Sequence, residues 1–188
     1  MSQTKNAAIV YCSITGNTEK VANALKEGLE DVGLDVIIRK AENANDIDFF
    51  EYDLVCVGSP SHQWRPPQPL TDFLLKKFNI YRGEGRIQLN APKVLGRRAL
   101  IFCTYSGPHT GINEAIPVGK YLGQFFEHLG FTLVGEWYVV GEFHGSEVNS
   151  TKGRMGDIRG RPSRQDLEKV RSDAGKLAQR LRANGSGE

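Results

Sequence analysis

The sequence predicts an α/β fold, an open parallel sheet of five strands in the order 2-1-3-4-5 with helices on both faces. Three observations lead there. Apolar runs and helical patterns alternate five times along the 188 residues without internal repeats, as successive βαβ units do. The clearest runs are almost continuously apolar, which suits strands buried on both faces of a parallel sheet. The residues that break the pattern collect directly after strands one, three and four. In such a sheet those strand ends lie at one pole, near the point where strand order reverses.

The elements follow in order. Ala7 to Cys12 is the first strand, and the helical pattern from Glu19 to Asp31 carries Val21, Leu25, Leu29 and Val32 on one face. Gly28 is tolerated inside that helix and Gly33 stops it. Leu34 to Ile38 is the second strand, and the polar stretch from Lys40 to Asp48 is read as irregular. Tyr52 to Gly58 is the third strand, ending in a Pro-rich loop from Gly58 to Pro67. Leu70, Phe73, Leu74 and Phe78 mark a second helix, followed by a connecting loop from Asn79 to Lys93. Ala99 to Cys103 is the fourth strand, and Thr104 to Gly111 its loop. Val118, Leu122, Phe125 and Leu129 mark a third helix stopped by Gly130, and Phe131 to Val140 is the fifth strand. Gly141 to Arg161 reads as a long loop. Ser163 to Asp166 has the form of a capping box opening a last helix through Leu167, Val170, Ala174, Leu177 and Leu181. Residues 1–183 are read as one domain and 184–188 as a flexible tail.

Composition narrows the function classes. A hydrophobic fraction of 39% is modest but globular, and a net charge of +2 is too small to argue for nucleic acid. No apolar run approaches the roughly 20 residues that span a bilayer, and the N-terminus lacks a signal-peptide core, so a cytoplasmic protein is expected. Cys12, Cys56 and Cys103 sit late in predicted strands without a C-x-x-C pair, which points to buried reduced thiols. His62, His109, His128 and His144 are scattered without metal-ligand spacing. Charge is uneven: Asp46, Asp48, Glu51 and Asp53 cluster before the third strand, and Lys152, Arg154, Arg159, Arg161 and Arg164 crowd one later segment. The acidic cluster reads as solvated loop surface.

The chemistry centres on Ser13-Ile14-Thr15-Gly16-Asn17-Thr18. A strand feeding a hydroxyl-rich turn that opens a helix can hold a phosphate, because the first helical N–H groups lack partners and the dipole is positive there. The hydroxyls donate hydrogen bonds and Gly16 permits a backbone angle that other residues resist. A simple cap would explain Thr15 or Asn17 alone. Neither a P-loop nor a dinucleotide fingerprint is present. The S-x-T-G-N-T pattern after the first strand resembles the FMN-phosphate loop of the flavodoxin family, and the likeness covers nearly the whole chain.

That resemblance implies FMN as cofactor, sandwiched by the loops after strands three and four. Carried onto this chain, Trp64 and Tyr105 flank the ring, with His62 and His109 as competitors. Backbone groups around Gly58, Ser59 and Gly107 are candidates for the flavin's polar edge. The implied binding set is Ser13, Ile14, Thr15, Gly16, Asn17, Thr18, Ser59, Pro60, Ser61, His62, Trp64, Thr104, Tyr105, Ser106, Gly107 and His109, with no catalytic acid or base and no metal. The family further implies an electron carrier whose flavin passes through a semiquinone, working with redox partner proteins. A second reading stays open. Gly58-Ser59-Pro60-Ser61 resembles the G-x-P-[ST] loop of flavodoxin-like quinone reductases, and Gly107-Pro108-His109-Thr110-Gly111 with Glu114 is similar to their fourth loop. An NAD(P)H-dependent FMN or quinone oxidoreductase would then use the basic segment as an anion site. A non-redox module of the same fold would need an acidic pocket after strand one, where Cys12-Ser13-Ile14-Thr15 stands. Oligomeric state and the identity of the partner stay open.

Overall fold

The computed structural model describes residues 5–183, so the predicted tail at 184–188 lies outside the described residues. Its sheet contains β1 (Asn6–Tyr11), β2 (Asp35–Lys40), β3 (Leu54–Pro60), β4 (Arg98–Tyr105) and β5 (Thr132–Val140) in the order β2-β1-β3-β4-β5. All four pairings are parallel. The predicted fold class and strand order are those observed.

Covering both faces of such a sheet needs amphipathic helices, and the chain supplies two pairs. α1 (Asn17–Glu30) and α5 (Arg164–Ala183) cover one face, where Val21, Leu25 and Leu29 meet Ile9, Cys56, Val170, Ala174 and Leu177. α2 (Gln68–Gly83) and α3 (Ile116–His128) cover the other, where Leu70, Phe73, Leu122 and Phe126 meet Val57 and Ile101. The capping box is realised: Ser163 N–H donates to Asp166 at 2.7 Å and Asp166 N–H to the Ser163 hydroxyl at 3.2 Å. Cys12, Cys56 and Cys103 are free and buried, and burial pushes the Cys56 and Cys103 thiols well above the ordinary range.

Several boundaries correct the sequence reading. β3 runs through Gly58 and Ser59 to Pro60 instead of ending at Gly58, because Ser59 and Pro60 still pair with Cys103 and Thr104. Proline is tolerated at that last position. β4 correspondingly includes Thr104 and Tyr105, assigned to a loop by sequence. α2 continues to Gly83, where a connecting loop was expected. Buried Tyr81 draws this last turn against the core, and its hydroxyl accepts the Phe49 N–H at 2.8 Å. A short 3-10 turn, Ala41–Asn43, interrupts the segment read as irregular. The long loop after β5 contains a helical turn, α4 (Glu147–Thr151), whose Ser146 hydroxyl accepts the Asn149 N–H at 3.3 Å.

Gly28 is required and not merely tolerated. A Cβ there would meet the Arg171 carbonyl oxygen of α5 and lie 2.8 Å from Ala174 Cβ. Gly28→Ala gains about 1 kcal/mol of helix propensity but overpacks the α1–α5 contact, which typically costs about 1–3 kcal/mol. The clash is with backbone, so the loss dominates. Thermal unfolding should show a Tm lowered by several degrees, and an unchanged or raised Tm would mean that the two helices separate freely.

Candidate functional site

The carboxyl ends of β1, β3, β4 and β5 converge on one cleft made of two adjoining recesses. One of ≈ 280 Å³ is lined by Ile14, Thr15, Asn17, Thr18, Pro60, Ser61, His62, Thr104, Tyr105, Ser106, Glu142, Phe143 and His144. The other, of ≈ 370 Å³, adds Gln63, Trp64, Gly107, Pro108, His109, Glu114 and Asn149. Ser61, His62, Tyr105, Ser106 and Phe143 belong to both. The structure thus brings together the three loops that the sequence singled out. Ser13 and Gly16 are half-buried and line neither recess. Ser59 is fully buried beneath it, with its hydroxyl donating to the Pro60 carbonyl at 2.8 Å.

The turn after β1 forms a cradle of neutral donor groups. Gly16 adopts a left-handed φ of 92° at the N-cap of α1, a conformation glycine takes without strain. The Ser13 hydroxyl accepts the Glu19 N–H at 3.3 Å. The backbone N–H groups of Ile14, Thr15, Gly16, Asn17 and Thr18 have no acceptor among the described residues. With the positive end of the α1 dipole they form a concave patch of donors. Glu19, the acid of the first turn, is tied away from it: Tyr11 donates to its carboxylate at 2.7 Å and Lys40 lies at 3.3 Å. The Tyr11 hydrogen bond first, then Lys40, holds the Glu19 carboxyl below the usual carboxylate range.

The floor is a buried hydroxyl pair, Thr18 Oγ1 and Thr104 Oγ1 at 2.7 Å. Either can donate. The pair ties α1 to the end of β4.

The loop after β3 is drawn tight. Ser61 N–H donates to the Thr104 carbonyl at 2.8 Å, and the Ser61 hydroxyl donates to the Glu114 carbonyl. His62 and Arg65 exchange backbone hydrogen bonds at 3.0 and 3.2 Å around Gln63 and Trp64. Both central residues have positive φ, 50° and 62°, the sign a type I′ turn requires and one that asparagine and glycine usually supply. This places Trp64 at an exposed tip, 63% accessible, whereas Tyr105 is 7% accessible on the wall. The loop after β4 is organised by Glu114, whose carboxylate accepts the His109 and Thr110 N–H groups at 2.8 and 2.7 Å.

Sequence reasoning missed the fourth wall. Glu142, Phe143 and His144 of the loop after β5 line the cleft, and this loop is clasped to the cradle. Asn17 Nδ2 donates to the Glu142 carbonyl at 3.0 Å, and Gly141 N–H to the Tyr105 carbonyl at 2.8 Å. Phe143 lies three residues past the predicted strand end, and the basic residues downstream drew the interpretation instead. Those residues are not gathered as a clamp. Arg159 pairs with Asp157 at 2.6 Å, Arg161 with Asp166, and Arg164 with Glu168 at 2.7 Å. Lys152 and Arg154 have no carboxylate partner among the described residues and flank Gly153 where it packs on Pro108.

Against known proteins, residues 9–172 match the Flavodoxin family model. A flavodoxin of Megasphaera elsdenii is 29% identical over 127 residues, covering 68% of this chain and 80% of that protein. An uncharacterised protein of Methanocaldococcus jannaschii is 42% identical over 64 residues, which cover 32% of this chain and only 16% of that protein. The chain therefore matches a small part of that longer relative. Among solved structures, a flavodoxin of Streptococcus pneumoniae superposes with a TM-score of 0.64 at 21% identity, covering 93% of this chain and 99% of that one. At that identity the likeness concerns the fold.

The floor pair gives a direct test of the geometry. Thr18→Val leaves the Thr104 hydroxyl buried without a partner, at a cost of about 1–3 kcal/mol. The double variant with Thr104→Val should cost less than the two single changes together, as urea unfolding of all four proteins would read. Strictly additive losses would show that the hydroxyls are not coupled.

Proposed function

The chain belongs to the flavodoxin family, and from that premise we propose that residues 1–183 form one domain that holds FMN non-covalently and carries single electrons between partner proteins. The observation that carries this reading is the row of unpaired N–H donors from Ile14 to Thr18, opening onto the same cleft as Tyr105. The donors fit a phosphate, and the adjoining recess with aromatic walls fits a flat ring. When bound, FMN supplies the redox chemistry.

The protein's own groups would then act as follows. The cradle N–H groups and the exposed Thr15 hydroxyl bind the phosphate, neutralising part of its charge with dipoles alone. Trp64 and Tyr105 flank the ring, with Phe143, His62 and His109 at its margin. Gly107 offers backbone groups to its polar edge, whereas Gly58 and Ser59, candidates by sequence, are buried in the β3 ladder. The apolar walls exclude water, and added negative charge is disfavoured in such a site, so the bound flavin becomes a stronger reductant. A carrier of this kind uses no side-chain acid or base.

The reductase reading needs cations for the phosphates of NAD(P)H. Arg159 and Arg161 are engaged with Asp157 and Asp166, which leaves that site with Lys152 and Arg154 alone. This favours the carrier.

Two measurements check the proposal. Under anaerobic conditions, stepwise dithionite should reduce the FMN-loaded protein in two separate one-electron stages, while NADPH alone leaves the flavin oxidised. Prompt bleaching by NADPH would make the protein a reductase, and failure to retain FMN would defeat both readings. Gly16→Ala forces a side chain into a left-handed conformation costing about 1–2 kcal/mol, so FMN affinity should fall roughly tenfold. Undiminished affinity would remove this turn from the site.

A further inference from the structure

The segment between α2 and β4 is strongly basic and lies before the amino end of β4, at the pole opposite the cleft, beside the acidic cluster Asp46, Asp48, Glu51 and Asp53 that precedes β3. From Arg82 to Arg98 it carries Arg82, Arg86, Lys93, Arg97 and Arg98 against a single acid, Glu84. Two turns sit in tandem within it. Ala91 N–H donates to the Gln88 carbonyl at 3.1 Å, and Arg97 N–H to the Val94 carbonyl at 3.2 Å. The third residue of each turn, Asn90 at φ 64° and Gly96 at φ 75°, is left-handed, as a type II turn requires. The second residue is leucine in both. Leu89 is 94% exposed and Leu95 79%, the two highest values among the exposed large apolar residues described.

These tips are held in place. Val94 N–H bonds the Gly130 carbonyl at 2.9 Å, Lys93 Nζ the Phe131 carbonyl at 3.1 Å, and Ile87 packs against the core. Firmly presented leucines on convex turns offer no flat or concave apolar patch of the sort that forms the centre of a protein interface. They suit a deformable apolar phase, and the surrounding cations suit an anionic layer above it. Arg82 and Arg97 have no carboxylate partner among the described residues, whereas Arg86 is held by Asp48 and Glu84.

We propose that the leucine-tipped basic turns of this pole dock on the surface of an anionic lipid bilayer. Leu89 and Leu95 enter the interfacial region, and Arg82 and Arg97 meet lipid phosphates. The cleft then faces away from the bilayer and stays open to partners. No helix among the described residues is long and apolar enough to cross a membrane, so the attachment is peripheral.

Vesicle flotation of the full-length protein tests this, with phosphatidylcholine vesicles compared to vesicles containing phosphatidylglycerol. The protein should float with the anionic vesicles and be left behind by the neutral ones. Leu89→Ser with Leu95→Ser should weaken flotation on the order of tenfold. Arg97→Glu should weaken it about fivefold or more. All three side chains lie outside the cleft, so flavin binding and Tm report that these variants stay folded. Absence from anionic vesicles, or flotation indifferent to the leucine pair, overturns the proposal. So does a dimer in sedimentation that the leucine variants convert to monomer, which assigns the tips to contact between copies.

Discussion

Parallel strands must all enter the sheet from the same side, so every connection has to return across one of its faces. The rest of this architecture depends on that constraint. The returning segments must bury apolar stripes, which sets the helical periodicity of α1, α2, α3 and α5. The strands between them are covered on both sides, which requires the near-continuous apolar runs of β1, β3 and β4. Every strand also delivers its carboxyl end to one pole. Loops with little sequence in common meet there because they have no other place to go.

At that pole charge is managed without cations. The turn after β1 presents backbone donors whose partners are missing by construction, since a helix cannot satisfy its own first N–H groups. A carboxylate in the first turn would oppose an anion, and Tyr11 with Lys40 holds the carboxylate of Glu19 aside. Asn17 contributes differently. Its amide bonds the loop after β5, so the cradle and the fourth wall are parts of one hydrogen-bonded unit.

Much of this was legible in the residues. Strand number, strand order and the three convergent loops follow from apolar runs and breakers, because burial on both faces leaves so plain a pattern. The errors have physical causes too. Pro60 looked like a strand terminator, but a strand's final residue can do without its N–H, and pairing with Thr104 continues there. Asn79 to Gly83 lacked a clear apolar stripe, yet one buried tyrosine suffices to extend α2. The arginines after β5 invited interpretation as a clamp because their partners, Asp157, Asp166 and Glu168, lie within a few residues. Local ion pairing consumed what sequence spacing alone presented as free charge. Phe143 was overlooked because nothing in the sequence says that its loop folds back over the cleft.

The contact between α1 and α5 joins two helices far apart along the chain. Gly28 lies against the Arg171 carbonyl across nearly the whole sequence, and the apolar face of α1 is completed by Val170, Ala174, Leu177 and Leu181. During synthesis, therefore, α1 emerges well before the helix it packs against. Contacts so distant along the chain are slow to form. A ribosome-bound chain can assemble its first strands and still lack a braced α1 until α5 has left the exit tunnel. The turn that opens α1 then gains its bracing only after α5 has emerged.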